Sequence, residues 1–207
     1  MPGKDLVLLL GGAGAGKSAL AERLASAAAG NSGAVLFVAT AQASDPEMEK
    51  KIRRHQAARP KHWRLVEEPL DLARAVESNA AGCDAVLVDC LTLWVSNLLL
   101  RHEGDPAAEE RIIRETEALL AAWERLDKPW FVVSNEVGMG VVPPYPIGRT
   151  YRDVLGKVNR AVAAKATKAY LVVAGLALDL KALGTTTLPD VADSSPPFPF
   201  REGGQGG

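Results

Sequence analysis

The fold of this chain is decided by residues 11–18, which read Gly11-Gly12-Ala13-Gly14-Ala15-Gly16-Lys17-Ser18. They fit the pattern G-x-x-x-x-G-K-[ST], follow the apolar run Leu6–Leu10 and open the Ala-rich helical pattern Lys17–Ala29. The glycines let the backbone turn its N–H groups inward, and the helix N-terminus adds partial positive charge. Lys17 then reaches the β- and γ-phosphates, and the Ser18 hydroxyl can ligate Mg²⁺. The segment predicts a P-loop for a nucleoside triphosphate.

The rest of the chain alternates short apolar runs with longer helical patterns. Continuous apolar runs are typical of parallel strands covered on both faces. The predicted strands are Leu6–Leu10, Ala34–Ala39, Arg64–Glu67, Ala85–Asp89, Pro129–Ser134 and Ala169–Val173. The predicted helices are Lys17–Ala29, a segment from Asp45-Pro46 that ends before Pro60, and Pro106–Leu126. The fold class is therefore α/β, a P-loop NTPase with a mostly parallel sheet and helices on both faces.

Charge and composition exclude several classes of partner. With 24 basic and 25 acidic residues, the net charge gives no field toward nucleic acid or anionic membranes, so we expect a small-molecule ligand. The N-terminus leads into only five apolar residues, too few for a signal peptide or membrane span, which predicts a cytoplasmic protein. Cys83 and Cys90 match no redox or zinc spacing and are expected to be buried thiols. Residues 1–183 are expected to form one domain and residues 184–207 a flexible tail.

Ligands of open parallel sheets bind beyond the carboxyl ends of the strands. Asp89 ends the run Ala85–Asp89, and beside a P-loop its carboxylate predicts a position near Mg²⁺, although a charge can also simply end a strand. Thr40 and Gln42 follow the second strand. They are predicted either to bind the ligand or to form a solvated turn. The loop Asn135–Gly140 follows the fifth strand and is predicted to be a mobile loop of the site.

His55 is the most informative of the three histidines. It lies in residues 51–63, where five side chains are Arg or Lys, as in a solvated basic face. Helical spacing nevertheless places Met48, Ile52 and His55 on one inward face. A neutral imidazole near a triphosphate is a competent nucleophile, and its attack on phosphorus would give a phosphoramidate. Both interpretations stay open from the residues alone, whereas His62 and His102 are interpreted as structural.

Further motifs accompany the phosphate loop in chain order. They are Ala39-Thr40, the run from Ile52 through His55 and Arg59-Pro60 to His62-Trp63, Val88-Asp89-Cys90-Leu91-Thr92, Asn135–Gly140, Tyr151-Arg152-Asp153, Gly156, Val158-Asn159 and Leu171-Val172-Val173. From about Leu6 to Lys181 the chain resembles the bifunctional adenosylcobinamide kinase/adenosylcobinamide-phosphate guanylyltransferase family. The resemblance implies a RecA-like sheet and a late step of cobalamin biosynthesis. In that step the aminopropanol hydroxyl of adenosylcobinamide is first phosphorylated. GMP is then transferred from GTP to the new phosphate, which gives adenosylcobinamide-GDP.

The resemblance also implies residue roles. It makes Lys17 and a guanylylated His55 catalytic, with Mg²⁺ held by Ser18 and Asp89. It adds nucleotide contacts at Gly11–Ser18, Val38, Ala39, Thr40, Gln56, Ala57, Ala58, Arg59, Glu67 and Asp89. Glu67 has no independent support, because Glu67-Glu68 before Pro69 also fits a helix start. The implied partners are ATP or GTP and the corrinoid, with a homo-oligomer expected and a trimer as one candidate.

Two departures from the family pattern bear on function. Gly14-Ala15 stands where family loops usually carry Arg-Ser, which could alter nucleotide preference or weaken the kinase step. The insertion Pro143-Pro144-Tyr145-Pro146 could reshape the corrinoid side. Arg149 and Arg152 lie one turn apart at the start of a further predicted helix after the loop Asn135–Gly140, and they fit either a phosphate or corrinoid contact or an ordinary surface pair. Two other functions remain compatible with the residues: a small-molecule kinase without a covalent intermediate, and a nucleotide-gated binding or regulatory protein.

Overall fold

The computed structural model describes residues 4–30, 32–41, 60 and 62–184. The strands are β1 (Leu6–Gly11), β2 (Val35–Ala39), β3 (Arg64–Glu67), β4 (Ala85–Asp89), β5 (Trp130–Val133), β6 (Lys168–Val173) and β7 (Leu176–Asp179). They form one seven-stranded sheet in the order β3-β2-β4-β5-β1-β6-β7. All neighbours pair in parallel except β6 and β7, which are antiparallel. The predicted mostly parallel sheet is confirmed.

Helices cover both faces of this sheet, as predicted. They are α1 (Lys17–Ala29), α2 (Leu72–Asn79), α3 (Leu91–Arg101), α4 (Ala108–Arg125) and α5 (Pro146–Lys165). On one face α1 buries the small side chains of Ala21 and Ala25 against apolar residues that include Val7 and Phe37. The other helices form a second core on the opposite face, where Trp94 is fully buried. The two cores fix the sheet from both sides and leave the carboxyl ends of its strands at one edge.

The six predicted strands agree with the structure to within one residue at each end. The short edge strand β7 and the helices α2 and α3 were not predicted. The run Leu91–Leu100 is so uniformly apolar that its helical period is hidden, because polar residues interrupt it too rarely. The interpretation of Glu67-Glu68 as a helix start is wrong: Glu67 ends β3, and α2 begins at Leu72 behind the N-cap Asp71.

Some predictions fall on residues that the structure does not describe. The helix from Asp45-Pro46, with His55 on its inward face, and nearly all of the expected tail lie outside the described residues. The division into one domain and a tail stays a prediction. Cys83 is buried as expected, whereas Cys90 is partly exposed. Within the described ranges no helix has the length and apolar character needed to cross a membrane.

Candidate functional site

The sheet register brings the predicted site residues to one edge. Ala39, at the end of β2, lies opposite both Glu67 of β3 and Asp89 of β4. Asp89 in turn lies opposite Val133 of β5. On its other side β5 pairs with β1, the strand that leads into the P-loop. Because all these strands are parallel, the loops after them open on the same side. The structure thus places the P-loop, Ala39, Glu67 and Asp89 along one line.

Two glycines are required by the geometry of the P-loop. Gly11 has φ +147, and a Cβ added there would lie 2.1 Å from the Val172 carbonyl oxygen of β6. Only glycine lets the end of β1 come this close to its neighbour. Gly16, the N-cap of α1, has φ +99, a conformation that residues with a Cβ rarely adopt. The loop therefore needs glycine at both its first position and its turn into the helix.

Backbone hydrogen bonds brace the P-loop from both sides. The Glu136 N–H, in the loop after β5, donates to the Gly11 carbonyl at 3.1 Å. The Gly175 N–H, in the turn between β6 and β7, donates to the Ala15 carbonyl at 3.0 Å. The loop is consequently held in shape by its neighbours when no nucleotide is present.

Lys17 is buried at the base of this loop. Its side chain is only 6% exposed, and its Nζ donates to the Gly12 carbonyl at 2.7 Å. Burial lowers the pKa of Lys17 below its ordinary value, while the nearby Cys90 thiol and Asp89 carboxylate act in the opposite direction. The Asp89 carboxylate is therefore close enough to influence the lysine. A cation and a carboxylate face the same loop, as a phosphate and its metal ion require.

Thr40 is tied into the protein rather than open to a ligand. It is fully buried, and its N–H donates to the Asp89 carbonyl at 3.1 Å. Asn97 of α3 donates to the Thr40 carbonyl at 3.0 Å and to the Pro69 carbonyl at 3.2 Å. Thr40 and Asn97 therefore join the ends of β2 and β4 to the loop after β3. The sequence analysis missed Asn97, whose signal is a lone amide in an apolar helix.

A second missed group holds the loop after β5. The Asn135 N–H donates to the Thr92 hydroxyl at 2.7 Å, and the Asn135 carbonyl accepts from the Asn159 side chain at 3.0 Å. Asn159 lies on the buried face of α5, where its neighbours Leu155 and Val158 are apolar. An amide in that position is the signal that could have revealed it. The loop expected to be mobile is thus clamped at its start.

The remaining predicted residues are not all brought to this edge. The Val38 side chain is fully buried in the hydrophobic core, on the face of the sheet that also holds Trp94. Arg149 donates to the carbonyls of Pro143 and Pro144, at 3.2 and 2.9 Å, and so holds the proline turn. Arg152 pairs with Asp153 at 3.4 Å. Gln42, His55, Gln56, Ala57, Ala58 and Arg59 lie outside the described residues.

Comparison with known proteins decides the family. Residues 7–180 match the family described as cobinamide kinase / cobinamide phosphate guanyltransferase. The chain belongs to this family. Members of the cobinamide kinase/guanyltransferase family are transferases of cobalamin biosynthesis, and with its P-loop this one uses a nucleoside triphosphate. The sequence-based family resemblance is confirmed, and it favours an enzyme over the binding or regulatory alternative.

The alignments with named relatives cover most of this chain and nearly all of each relative. The bifunctional adenosylcobalamin biosynthesis protein CobP of Pseudomonas aeruginosa is 48% identical over 175 residues, covering 84% of this chain and 96% of the relative. The bifunctional adenosylcobalamin biosynthesis protein CobU of Escherichia coli is 39% identical over 184 residues, covering 85% and 99%. Among solved structures, the flagellar accessory protein FlaH from Methanocaldococcus jannaschii has a TM-score of 0.48 at 16% identity, covering 87% of this chain and 79% of that one.

Proposed function

We propose that this chain phosphorylates the aminopropanol hydroxyl of adenosylcobinamide and then transfers GMP from GTP to the product through a covalent His55–GMP intermediate. The observation that carries the proposal is the buried Lys17 ammonium inside a braced P-loop, in a chain of a family described by both activities. The two reactions share one requirement, which is stabilisation of charge on a triphosphate.

One phosphate cradle can serve both steps. In the kinase step the acceptor hydroxyl attacks the γ-phosphorus, and the nucleoside diphosphate leaves. In the guanylyl step His55 attacks the α-phosphorus, pyrophosphate leaves, and the GMP group then passes to the phosphate of adenosylcobinamide phosphate. Backbone N–H groups of Gly11–Ser18 and the Lys17 ammonium stabilise the phosphate charge in either transition state. The reactions differ in which phosphorus is attacked.

The side chains at this edge fit Mg²⁺. The Ser18 hydroxyl and the Asp89 carboxylate are the hard oxygen ligands that this ion takes, and Asp89 is partly exposed at the end of β4. The described residues contain no group of three or more His, Cys, Asp or Glu that could hold a metal by themselves. Mg²⁺ usually binds through one or two protein oxygen ligands together with substrate phosphates and water. When bound, Mg²⁺ would neutralise phosphate charge.

The nucleotide contacts proposed for this edge extend beyond the P-loop. Ala39 and Glu67 lie at the ends of β2 and β3, on the line that also holds Asp89. Thr40 supports this line from within the protein. The family resemblance and sequence position alone support His55 and the contacts proposed at Gln56, Ala57, Ala58 and Arg59.

We propose that the corrinoid lies against an apolar surface formed by the loop after β5 and the first turn of α5. This loop surface consists of Met139, Val141, Val142, Tyr145 and Ile147, all more than half exposed. It follows directly on Glu136, which is bonded to the P-loop, so a substrate on it is adjacent to the phosphates. A corrin ring has a broad apolar periphery of methyl groups, which such a surface can cover.

We also propose a homo-oligomer, with a trimer as one candidate. Val173, Leu176 and Leu178 are exposed at the sheet edge formed by β6 and β7. Because Val173 pairs with Leu176, these side chains share a face. An exposed apolar sheet edge of this kind favours association with another chain. Light scattering on the purified protein measures the number of copies.

The covalent step is tested with labelled GTP. Protein incubated with Mg²⁺ and α-labelled GTP should retain label that is lost in acid and stable in base, as a phosphoramidate is, whereas γ-label should not be retained. His55→Ala should abolish the retained label, while the control His102→Ala should keep it. Retention of α-label by His55→Ala would place the nucleophile elsewhere. An active kinase that never retains α-label would instead support the kinase without a covalent intermediate.

A further inference from the structure

Glu136 occupies the centre of the proposed site. It lies in the loop after β5, the strand between β1, which carries the P-loop, and β4, which ends at Asp89. Its N–H donates to the Gly11 carbonyl at 3.1 Å, so its main chain touches the first residue of the P-loop. The residue is only partly exposed. The residue that carries this carboxylate is thereby attached to the P-loop, in the loop that follows the strand between β1 and β4.

The loop is built to hold this residue in place. Asn135, directly before it, is fixed at its N–H by Thr92 and at its carbonyl by Asn159. The Glu136 Oε1 accepts the N–H of Gly138 at 2.5 Å. A Cβ at residue 138 would lie only 2.9 Å from that oxygen, so glycine makes room for the carboxylate. Helices α3 and α5 therefore hold the main chain directly before Glu136, and the Gly138 N–H holds its carboxylate.

The kinase reaction needs a proton acceptor. As the aminopropanol oxygen bonds to the γ-phosphorus, the bond from that phosphorus to the β,γ-bridging oxygen breaks, and the hydroxyl proton must go to a base. In the guanylyl step the accepting group is a phosphate that is already largely ionised at neutral pH, since its second pKa is about 6. The hydroxyl that accepts the phosphoryl group therefore has a proton to lose, whereas the phosphate that accepts the GMP group does not.

Other carboxylates at this edge suit the task less well. Asp89 is the proposed Mg²⁺ ligand, so its oxygens are committed to the metal. Glu67 ends β3, the outermost strand, and β2 and β4 separate it from β5. Glu136 is adjacent both to the P-loop and to the apolar loop surface on which the corrinoid is placed. Among the described carboxylates, Glu136 belongs to the loop that joins the P-loop to this apolar surface.

We propose that Glu136 is the catalytic base of the kinase step and has no proton-transfer role in guanylyl transfer. Its carboxylate takes the hydroxyl proton as the phosphorus–oxygen bond forms and returns it to water after the nucleoside diphosphate has left. This inference rests on the proposed function, because it assigns a group to one of the two proposed reactions.

The test compares the two activities of one variant. Glu136→Gln keeps an oxygen for the Gly138 N–H but removes the basic carboxylate. Phosphorylation of adenosylcobinamide should fall on the order of 100-fold or more in kcat, with the KM for the nucleotide unchanged. GMP transfer to prepared adenosylcobinamide phosphate should be retained. Glu136→Asp, which keeps a carboxylate, should lose less kinase activity than Glu136→Gln.

A control variant distinguishes chemistry from loop structure. Asn159→Ala removes the clamp on the Asn135 carbonyl and should impair both activities together. An equal loss of both activities in Glu136→Gln would overturn the inference and make Glu136 a structural residue of the loop. Full kinase activity in that variant would also overturn it. Wild-type protein that performs neither reaction would instead contradict the proposed function itself, and the inference with it.

Discussion

The Thr40 hydroxyl is bonded to both backbone groups of Cys90: it accepts the Cys90 N–H at 2.8 Å and donates to the Cys90 carbonyl at 2.7 Å. Cys90 follows the proposed metal ligand Asp89 directly. One side chain at the end of β2 therefore fixes the main chain where β4 turns into α3. The orientation of the Asp89 carboxylate depends on a neighbouring strand as well as on its own.

Thr40→Val should destabilise the protein and weaken nucleotide binding. The substitution keeps the shape of the side chain but leaves two part-buried backbone groups of Cys90 without their partner, at a cost of about 2 kcal/mol or more. Urea denaturation measures the loss in the free energy of unfolding, and a fluorescent GTP analogue measures the Kd. Thr40→Ser keeps the hydroxyl and is the matched control. A Thr40→Val protein as stable as the wild type would contradict the role assigned to this hydroxyl.

Gly11→Ala should be far more damaging than Gly14→Ala. Both glycines have positive φ, a conformation that residues with a Cβ rarely adopt, so alanine is strained at either position. At position 14 the added Cβ meets nothing within 4 Å, but at position 11 it meets the Val172 carbonyl at 2.1 Å. The additional cost at position 11 should therefore be about 3 kcal/mol or more. Thermal unfolding of the two variants is the measurement, and equal melting temperatures would refute the close approach of β1 to β6.

Lys17→Ala should abolish both activities. The same ammonium stabilises phosphate charge in both proposed transition states, and loss of one such group lowers kcat by about 100-fold to 1000-fold. Steady-state assays with adenosylcobinamide and with its phosphate measure the two steps separately. Lys157→Ala, on the exposed side of α5, is the control and should leave both rates unchanged. Full guanylyl transfer in Lys17→Ala would disprove the shared cradle.

The Tyr151 phenol should ionise at a higher pH than an ordinary tyrosine. Burial raises the pKa of Tyr151 to about 12 from an ordinary value of 10.0, with the Cys90 charge contributing in the same direction. Between these pH values the unfolded chain releases the proton while the folded chain keeps it, so stability falls as pH rises through this window. Absorbance at about 295 nm should show a late phenolate transition in folded protein, and Tyr151→Phe should remove it. An absorbance titration of folded protein that Tyr151→Phe leaves unchanged above pH 10.0 would contradict the burial of this phenol.

Val141→Asp should raise the KM for adenosylcobinamide and leave the Kd for the nucleotide unchanged. Val141 is 95% exposed, so the charge should not disturb folding, but it would face the apolar periphery of the corrinoid. Leu100→Asp is the control: this side chain is also exposed and lies near the far end of α3, about 15 Å along the helix from its start at the site. Equal effects of the two substitutions would remove the corrinoid from the loop surface.

The sheet could be predicted from the sequence because its strands are covered on both faces and read as continuous apolar runs. The helix α1 was equally clear, since the P-loop sets its start and Gly30 its end. The same uniformity concealed α3, where apolar residues on every side hide the helical period. The four-residue strand β7 was missed because its stability comes from pairing with β6, a contact that local sequence does not report.

The candidate site could be predicted only in part. Motif spacing predicted Lys17, Ser18 and Asp89, because the chemistry proposed for them requires fixed positions around a triphosphate. Asn97 and Asn159 could not be assigned in this way, since each bonds a backbone group distant in sequence. Recognising such residues requires the tertiary fold, which alone determines what their amides reach.

The braces on the P-loop have a consequence for how this enzyme tolerates change. Both are made by main-chain atoms, from Glu136 to Gly11 and from Gly175 to Ala15. A scaffold of peptide groups does not depend on the identity of the side chain at position 15, so substitutions there need no matching change in the neighbouring turns. The loop can therefore exchange its outer side chains without losing its shape. In these eight residues the main chain keeps the loop rigid, while the outer side chains are free to vary.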